Sequence, residues 1–381
     1  MLLPKNFERY QRQMILDGFG EAAQLKLANA RVLVIGAGGL GCPALQYLAA
    51  AGVGRIGIAD ADRVALSNLH RQVLFTEQDL GKLKAAAAAA RLQLLNHQVV
   101  FDIIPEMITA KNAERILSQY DVIIDGSDNF PTRYLVNDAA VLLNKPLVYG
   151  AVSGYEGQAA VFTPGVHYRD LFPDPPAPGT IPDCTTAGVL GFLPGVIGAV
   201  MAGEAIKLIT GVGEPLTGRL LVYRALTQEQ FIFSIPSQQT LRHMQSSMPA
   251  SLDELRQTDY GAFCGLHSVP EITPVELAAM KENSDLLIVD IREPGELPLS
   301  TGFAHMLLPL SEINREPIRL TASMQEKGGN AIMVFFCQSG KRSAQLLSQH
   351  PEVLAGSALV YSLQGGIDAW NEYSSKHASG I

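Results

Sequence analysis

The stretch "RVLVIGAGGLG", residues 31–41, constrains this chain more than any other. An apolar strand pattern runs straight into a glycine-rich turn, and a helical pattern, "LGCPALQYLAAAGV" (40–53), follows at once. Gly36, Gly38 and Gly41 fit G-x-G-x-x-G, with Gly39 between them. Such glycines let the backbone approach a phosphate, while the helix start offers free N–H donors and the positive end of its dipole. The next strand, "RIGIAD" (55–60), ends in Asp60, placed to accept from ribose hydroxyls. Strand, helix and strand in this order pair in parallel, so we expect an α/β fold with a mostly parallel, Rossmann-like sheet.

The rest of the first half keeps the rhythm. "KLKAAAAAARLQLLN" (82–96) reads as helix because alanine loses no side-chain freedom there. "DVIIDGSDN" (121–129) and "PLVYGAV" (146–152) read as buried strands, the first with an acidic end. Residues 164–184 read as loop, since prolines at 173, 175, 176, 178 and 182 preclude ladders and helices. The uncharged run 187–203 is short for a membrane span, which needs about 20 residues. It contains Pro194 and runs into Glu204 and Lys207, so a buried helix and no membrane association are expected. "RLLVYRALTQEQFIFSI" (219–235) reads as two antiparallel strands.

Beyond residue 236 the chain turns rich in Ser, Gln and Met, and from Glu271 a second α/β rhythm begins. "ITPVELAAMK" opens a helix with a Thr-Pro start, "LLIVDIRE", "AIMVFF" and "LVYSL" are strands, and "SAQLLSQH" is a helix. We therefore expect a nucleotide-binding domain over 1–240, a linker over 241–270 and a smaller α/β domain over 271–381. A length of 381 residues agrees with two domains. The net charge of −8 offers no basic face for nucleic acid. Four scattered cysteines, at 42, 184, 264 and 337, make no disulfide framework, and the N-terminus is charged where a signal peptide is apolar. A cytoplasmic protein is expected.

The glycine loop alone suggests a nucleotide, and its default reading is an NAD-dependent dehydrogenase. "DADRVALSNLHRQ" (60–72) shifts the balance by adding Asp62, Asn68, Arg71 and Gln72 beyond the same strand end. Lys84 follows, and "GSDN" puts Asp128 and Asn129 at another strand end. Cations and amides around a nucleotide suit a triphosphate better than a nicotinamide, and Asp128 can hold Mg²⁺.

Taken in order, "RYQRQ", "GAGGLGC", "DADRVALSNLHRQ", "GKLK", "DGSDN" and "CTTAGVLG" resemble the MoeB/ThiF group of ubiquitin-activating-type adenylyltransferases over residues 5–235. The resemblance implies that ATP adenylates the C-terminal glycine of a small ubiquitin-like sulfur carrier ending in Gly-Gly. It assigns the nucleotide to Gly39, Asp60, Ser67, Asn68, Arg71, Lys84, Asp128 and Asn129, with Asp128 near Mg²⁺, and we expect Gly36, Gly38, Gly41, Asp62, Leu69 and His70 in the same site. It makes Arg12 a phosphate contact supplied across a homodimer, and Cys184 a conjugating or sulfur-relay cysteine. Family members commonly bind zinc through two C-x-x-C pairs. Here those positions read His167, Asp170, Gly261 and Cys264, so no zinc is expected.

"FFCQSGKRS" (335–343) ends a strand in Cys337 and closes a short loop with Arg342 and Ser343. Backbone N–H groups of such a loop and a nearby guanidinium stabilise a thiolate. Residues 271–373 resemble a rhodanese domain through "LLIVDIREPGE", "CQSGKRS" and "LQGGIDAW", which implies a persulfide on Cys337 drawn from a donor such as a cysteine desulfurase. Four residues separate Cys337 from Arg342, against five in phosphatases on this scaffold, so sulfur is the better cargo. The expected function is carrier adenylation followed by sulfur transfer, in a molybdopterin- or thiamine-type pathway. A tRNA-acting relative and a non-catalytic carrier-binding scaffold are the alternatives.

Overall fold

A computed structural model describes residues 7–176, 188–236, 248–266, 269–281, 283–296, 303–315, 332–350, 353 and 359–377. The chain divides into two compact units, with the break between Tyr260 and Gly261.

The first unit opens with α1 (Phe7–Met14) and α2 (Gly20–Asn29), then β1 (Arg31–Ile35), α3 (Gly41–Ala51), β2 (Arg55–Ala59), α4 (Lys84–Leu95) and β3 (Val100–Ile104). It continues with α5 (Ala113–Leu117), β4 (Val122–Asp125), α6 (Phe130–Leu142), β5 (Leu147–Ser153), β6 (Glu156–Phe162) and α7 (Tyr168–Leu171). Last come α8 (Leu193–Thr210), β7 (Arg219–Arg224), β8 (Glu229–Ser234) and α9 (Leu252–Gln257). Among the described residues these strands make one eight-stranded sheet, in the order β3-β2-β1-β4-β5-β6-β7-β8. The first five pair in parallel and the last three antiparallel. β4 is buried along its whole length and β1 at all but its first residue, as strands covered on both faces must be.

The long apolar helix α8 is a core helix. Met201 fills the space a side chain at Gly150 of β5 would need, and Ile197 does the same at Gly157 of β6. Its buried Glu204 is neutralised by Lys207 at 2.5 Å and accepts the Leu216 N–H at 2.7 Å. The helix begins at Leu193, later than the 187 expected from composition. At the N-terminus, buried Tyr10 anchors α1, its hydroxyl accepting from Asn96 Nδ2 at 2.8 Å.

Two stretches differ from their sequence reading. The loop expected over 164–184 holds α7, which ends at Leu171, before the first of the prolines. The stretch expected as linker holds α9 and, at the break between the units, α10 (Tyr260–Phe263). Both stretches are held by contacts distant in sequence. Arg169 of α7 forks onto Asp138 of α6, Nε to Oδ1 at 2.8 Å and NH2 to Oδ2 at 2.7 Å. The Tyr260 hydroxyl donates to the same Asp138 Oδ2 at 2.8 Å. The pair is almost fully buried, and the guanidinium also lies 4.9 Å from the Tyr134 ring centroid. Arg256 of α9 pairs with Glu114 at 3.1 Å.

The second unit continues with β9 (Glu271–Ile272), α11 (Pro274–Ala279), β10 (Leu286–Asp290), β11 (Met306–Leu307), α12 (Leu310–Arg315), β12 (Ile332–Phe336), α13 (Lys341–Gln349), β13 (Leu359–Leu363) and α14 (Gly366–His377). Its described strands form a parallel sheet ordered β11-β10-β12-β13-β9. Thr273 starts α11 with a full capping box to Glu276, as the Thr-Pro signal predicts.

Replacing Asp138 by Asn leaves the Arg169 cation buried without its counter-charge, which costs about 3–5 kcal/mol. Tyr260→Phe keeps the ion pair and loses one hydrogen bond, a cost of about 1 kcal/mol. Urea unfolding should show the larger drop in midpoint for Asp138→Asn. Equal midpoints in that variant and the wild type would rule out this tie as the fastening.

Candidate functional site

The C-terminal ends of β1, β2 and β4 share one edge of the first sheet, and the expected nucleotide residues gather there. A Cβ at Gly41 would fall on the Gly36 carbonyl oxygen, so only glycine lets α3 start this close to β1. The Gly36 side of the turn lies against Gly126, at the start of the "GSDN" turn. Asp60 holds the loop in shape: Oδ2 accepts the Ala37 N–H at 2.8 Å and Oδ1 the Asp62 N–H at 2.7 Å. Burial pushes the Asp60 carboxyl up, and the Lys84 charge opposes that rise. Lys84, buried at the start of α4, sits 3.2 Å from Asp62 Oδ2.

Leu66–Asn68 forms a single 3-10 turn, which carries Ser67 and Asn68, with Leu69 and His70 following. Arg71 NH1 donates to the Ser67 carbonyl at 3.2 Å and meets His70 Nε2 at 2.8 Å. The Arg71 stem lies beside Gly39, and buried Gln72 lies beside Gly38. Asp128 is exposed, and the Asn129 side chain caps α6 by accepting the Thr132 N–H at 3.0 Å. Arg12 stands exposed on α1. Cys184 lies outside the described residues.

The four positions that the resemblance gives to zinc carry other residue types here. Asp170 Oδ2 is engaged by the His167 N–H at 2.7 Å in the cap of α7, burial pushes the His167 imidazole pKa down, and Gly261 has no side-chain donor. Among the described residues no cluster of three or more His, Cys, Asp or Glu side chains could hold a metal. A tetrahedral zinc does not fit this donor set. Cys42 is buried, and burial pushes its thiol up to about 12, which leaves it unreactive.

In the second unit Cys337 follows β12 directly and is fully buried. Its loop is clamped by the Gly-Gly turn. The Ile367 N–H donates to the Cys337 carbonyl at 2.9 Å, and the Asp368 N–H to that of Gln338 at 3.1 Å. A Cβ at Gly366 would strike the Cys337 carbonyl oxygen and the Gly340 nitrogen. The Ser343 hydroxyl, also fully buried, lies 3.9 Å from Cys337 Sγ, 3.0 Å from the Gly340 carbonyl and 2.8 Å from Ser362 Oγ.

Arg342 was expected to bring its charge to the sulfur. It also forks onto Glu296, NH1 to Oε1 at 2.8 Å and NH2 to Oε2 at 2.5 Å. This pair, with a smaller contribution from Cys337, raises the Arg342 pKa. Glu296 is itself held by the Glu293 N–H at 2.8 Å. Sequence reasoning missed Glu296 and Ser362. Each stands in or beside a quoted motif, and only proximity in space reveals its role.

Residues 10–245 match the ThiF family. The chain belongs to the ThiF family. A rhodanese-like domain match covers residues 273–373. This ThiF–rhodanese chain is 52% identical over 272 residues to the sulfur carrier protein adenylyltransferase of Thermus thermophilus, covering 69% of this chain and 98% of that protein. It is 42% identical over 377 residues to the probable adenylyltransferase/sulfurtransferase MoeZ of Mycobacterium tuberculosis, covering 95% and 92%. Against the adenylyltransferase and sulfurtransferase MOCS3 of Drosophila ananassae the identity is 37% over 376 residues, covering 95% and 82%. A solved structure of E. coli MccB shares the fold, with a TM-score of 0.55 at 22% identity over 60% of this chain and 70% of that one.

The ThiF–rhodanese chain should show an acid-sensitive second unit. Arg342 holds the Glu296 carboxyl below its usual range. An unfolded glutamate titrates near 4.3, so the pair's stabilisation is complete above that pH and is lost as pH falls through the lower folded value. Glu296→Gln removes this dependence. Thermal melts between pH 6 and pH 3 should fall more steeply for the wild type, and parallel slopes would show that the pair does not contribute.

Proposed function

We propose that this protein adenylates the C-terminal glycine carboxylate of a small ubiquitin-like sulfur carrier, then delivers sulfur carried on Cys337 to yield a carrier thiocarboxylate. One observation carries the reading: a single chain joins a glycine loop braced by Asp60, Lys84 and Arg71 to a clamped cysteine loop of rhodanese type. The names of its relatives, adenylyltransferase and sulfurtransferase, support both halves.

In the first half, a carboxylate oxygen of the carrier attacks the α-phosphorus of ATP, and the bond to the β-phosphate bridging oxygen breaks to release pyrophosphate. Lys84, Arg71 and Arg12 of a second copy neutralise charge that would otherwise repel the incoming carboxylate. Asp128 would hold Mg²⁺, whose charge adds to theirs. No protein nucleophile is needed, and no zinc enters this reading. In the second half, the outer sulfur of a Cys337 persulfide attacks the carrier carbonyl and expels AMP. A further thiol, from Cys184 or a small reductant, then breaks the S–S bond and frees the thiocarboxylate. The buried setting of Cys337 shields the persulfide, so delivery requires the loop to open. Fusion in one chain raises the effective concentration of persulfide at the adenylate. We place the protein in a reducing cytoplasm, served by a cysteine desulfurase or similar donor, in a molybdopterin- or thiamine-type pathway.

The test is intact-mass analysis of Gly-Gly-ended carriers incubated with enzyme, MgATP and a sulfur donor, in which one oxygen should be replaced by sulfur. Cys337→Ala should abolish that replacement while carrier-dependent pyrophosphate exchange persists. Asp128→Ala should abolish both. Exchange lost in Cys337→Ala would refute the separation of the two stations.

A further inference from the structure

Arg133 stands in the first turns of α6, just beyond the "GSDN" turn. Its guanidinium carbon lies 5.4 Å from the Phe130 ring centroid and 5.7 Å from that of Tyr149 on β5. NH2 donates a long hydrogen bond, 3.3 Å, to the Ser127 carbonyl. Nε is buried and has no hydrogen-bond partner. Asp125 and Asp128 act on this cation only through space, and among the described residues it joins no ion pair. Native proteins rarely bury a charged donor unsatisfied, and such an orphan points to a ligand that supplies the missing acceptor. A second orphan belongs to the same edge: Gln72 Oε1, on a residue 3% exposed beside Gly38.

The sheet order says which part of the reactants Arg133 meets. Asp60 follows β2, the glycine loop follows β1, "GSDN" follows β4, and Arg133 lies over Tyr149 of β5. Along that edge a nucleotide with its ribose at Asp60 sets its phosphates at the loop and "GSDN". The next position outward, at β5, belongs to whatever approaches the α-phosphate from the far side. In the adenylation reading, on which this inference rests, that group is an anion, the carrier's terminal carboxylate. The flanking rings keep water from the guanidinium and strengthen its pairing with a carboxylate. We infer that Arg133 receives the C-terminal carboxylate of the acyl substrate, holding one oxygen while the other attacks phosphorus.

The test uses the full chain and a Gly-Gly-ended carrier that supports pyrophosphate exchange by the wild type. Arg133→Gln should raise the carrier KM roughly 10- to 100-fold, the loss expected for a charge-assisted hydrogen bond. The ATP KM should stay within about twofold, and Arg133→Lys should recover part of the loss. Carrier with an amidated C-terminus should bind the wild type as weakly as free-acid carrier binds Arg133→Gln, while amidation costs that variant nothing further. An unchanged carrier KM, an equal rise in both KM values, or equal binding of free and amidated carrier to the wild type overturns the inference. The last comparison needs no variant and stands even if Arg133→Gln does not fold. Absence of exchange by the wild type with every such carrier would instead refute adenylation itself, and this inference with it.

Discussion

The carbonyl oxygen of Gly36 occupies the space where any side chain at position 41 would have to go. That close approach seats the first turn of α3 against the end of β1, between β2 and β4. Parallel pairing then brings the C-terminal ends of all three strands to one edge, where Asp60 and "GSDN" also emerge. Asp60, expected as a ribose acceptor, also braces the loop. Two backbone N–H groups already occupy its oxygens, one from the glycine loop and one from Asp62, and Asp62 in turn meets Lys84. Loop, carboxylate and lysine therefore form one braced unit, the preorganisation that the proposed adenylation calls for.

The second unit repeats the device with a different outcome. Cys337 also follows a strand of a parallel sheet and precedes a helix, with glycine packing as the limiting contact. There the turn at 364–366 closes over the loop, and the cysteine is sealed. A loop that cradles phosphates has to stay open to a large ligand. One that stores a reactive sulfur benefits from being shut. The Arg342–Glu296 fork belongs to this closure, since it ties the cysteine loop to the turn after β10.

Sequence alone made the strands at 31–36, 55–60 and 146–152 legible, because parallel strands buried on both faces are unbroken apolar runs. The glycine loop and the cysteine loop were legible because close backbone approach leaves few residue choices. α7 and α9 were not, being too short, at four and six residues, to show a helical period. They exist because of partners far off in sequence, Asp138 lying 31 residues from Arg169 and 122 from Tyr260. Glu296 escaped notice for the same reason, standing 46 residues from Arg342. Local pattern marks where a strand ends, and says nothing of which distant side chain will meet it there.

The Asp138–Arg169–Tyr260 tie also bears on the chemistry. A four-thiolate zinc site would place several nucleophilic sulfurs on a chain whose task, in our reading, is to carry one transferable sulfur atom. Thiolates exchange with sulfur–sulfur bonds at rates set by their ionisation and access. A fastening made of a carboxylate, a guanidinium and a phenol cannot take part in that exchange. Among the described residues the two cysteines other than Cys337 are both buried, and Cys42 is held as a thiol by its surroundings. The Asp138–Arg169–Tyr260 tie therefore fastens α7 and Tyr260 to α6 without adding a side chain that could divert sulfur.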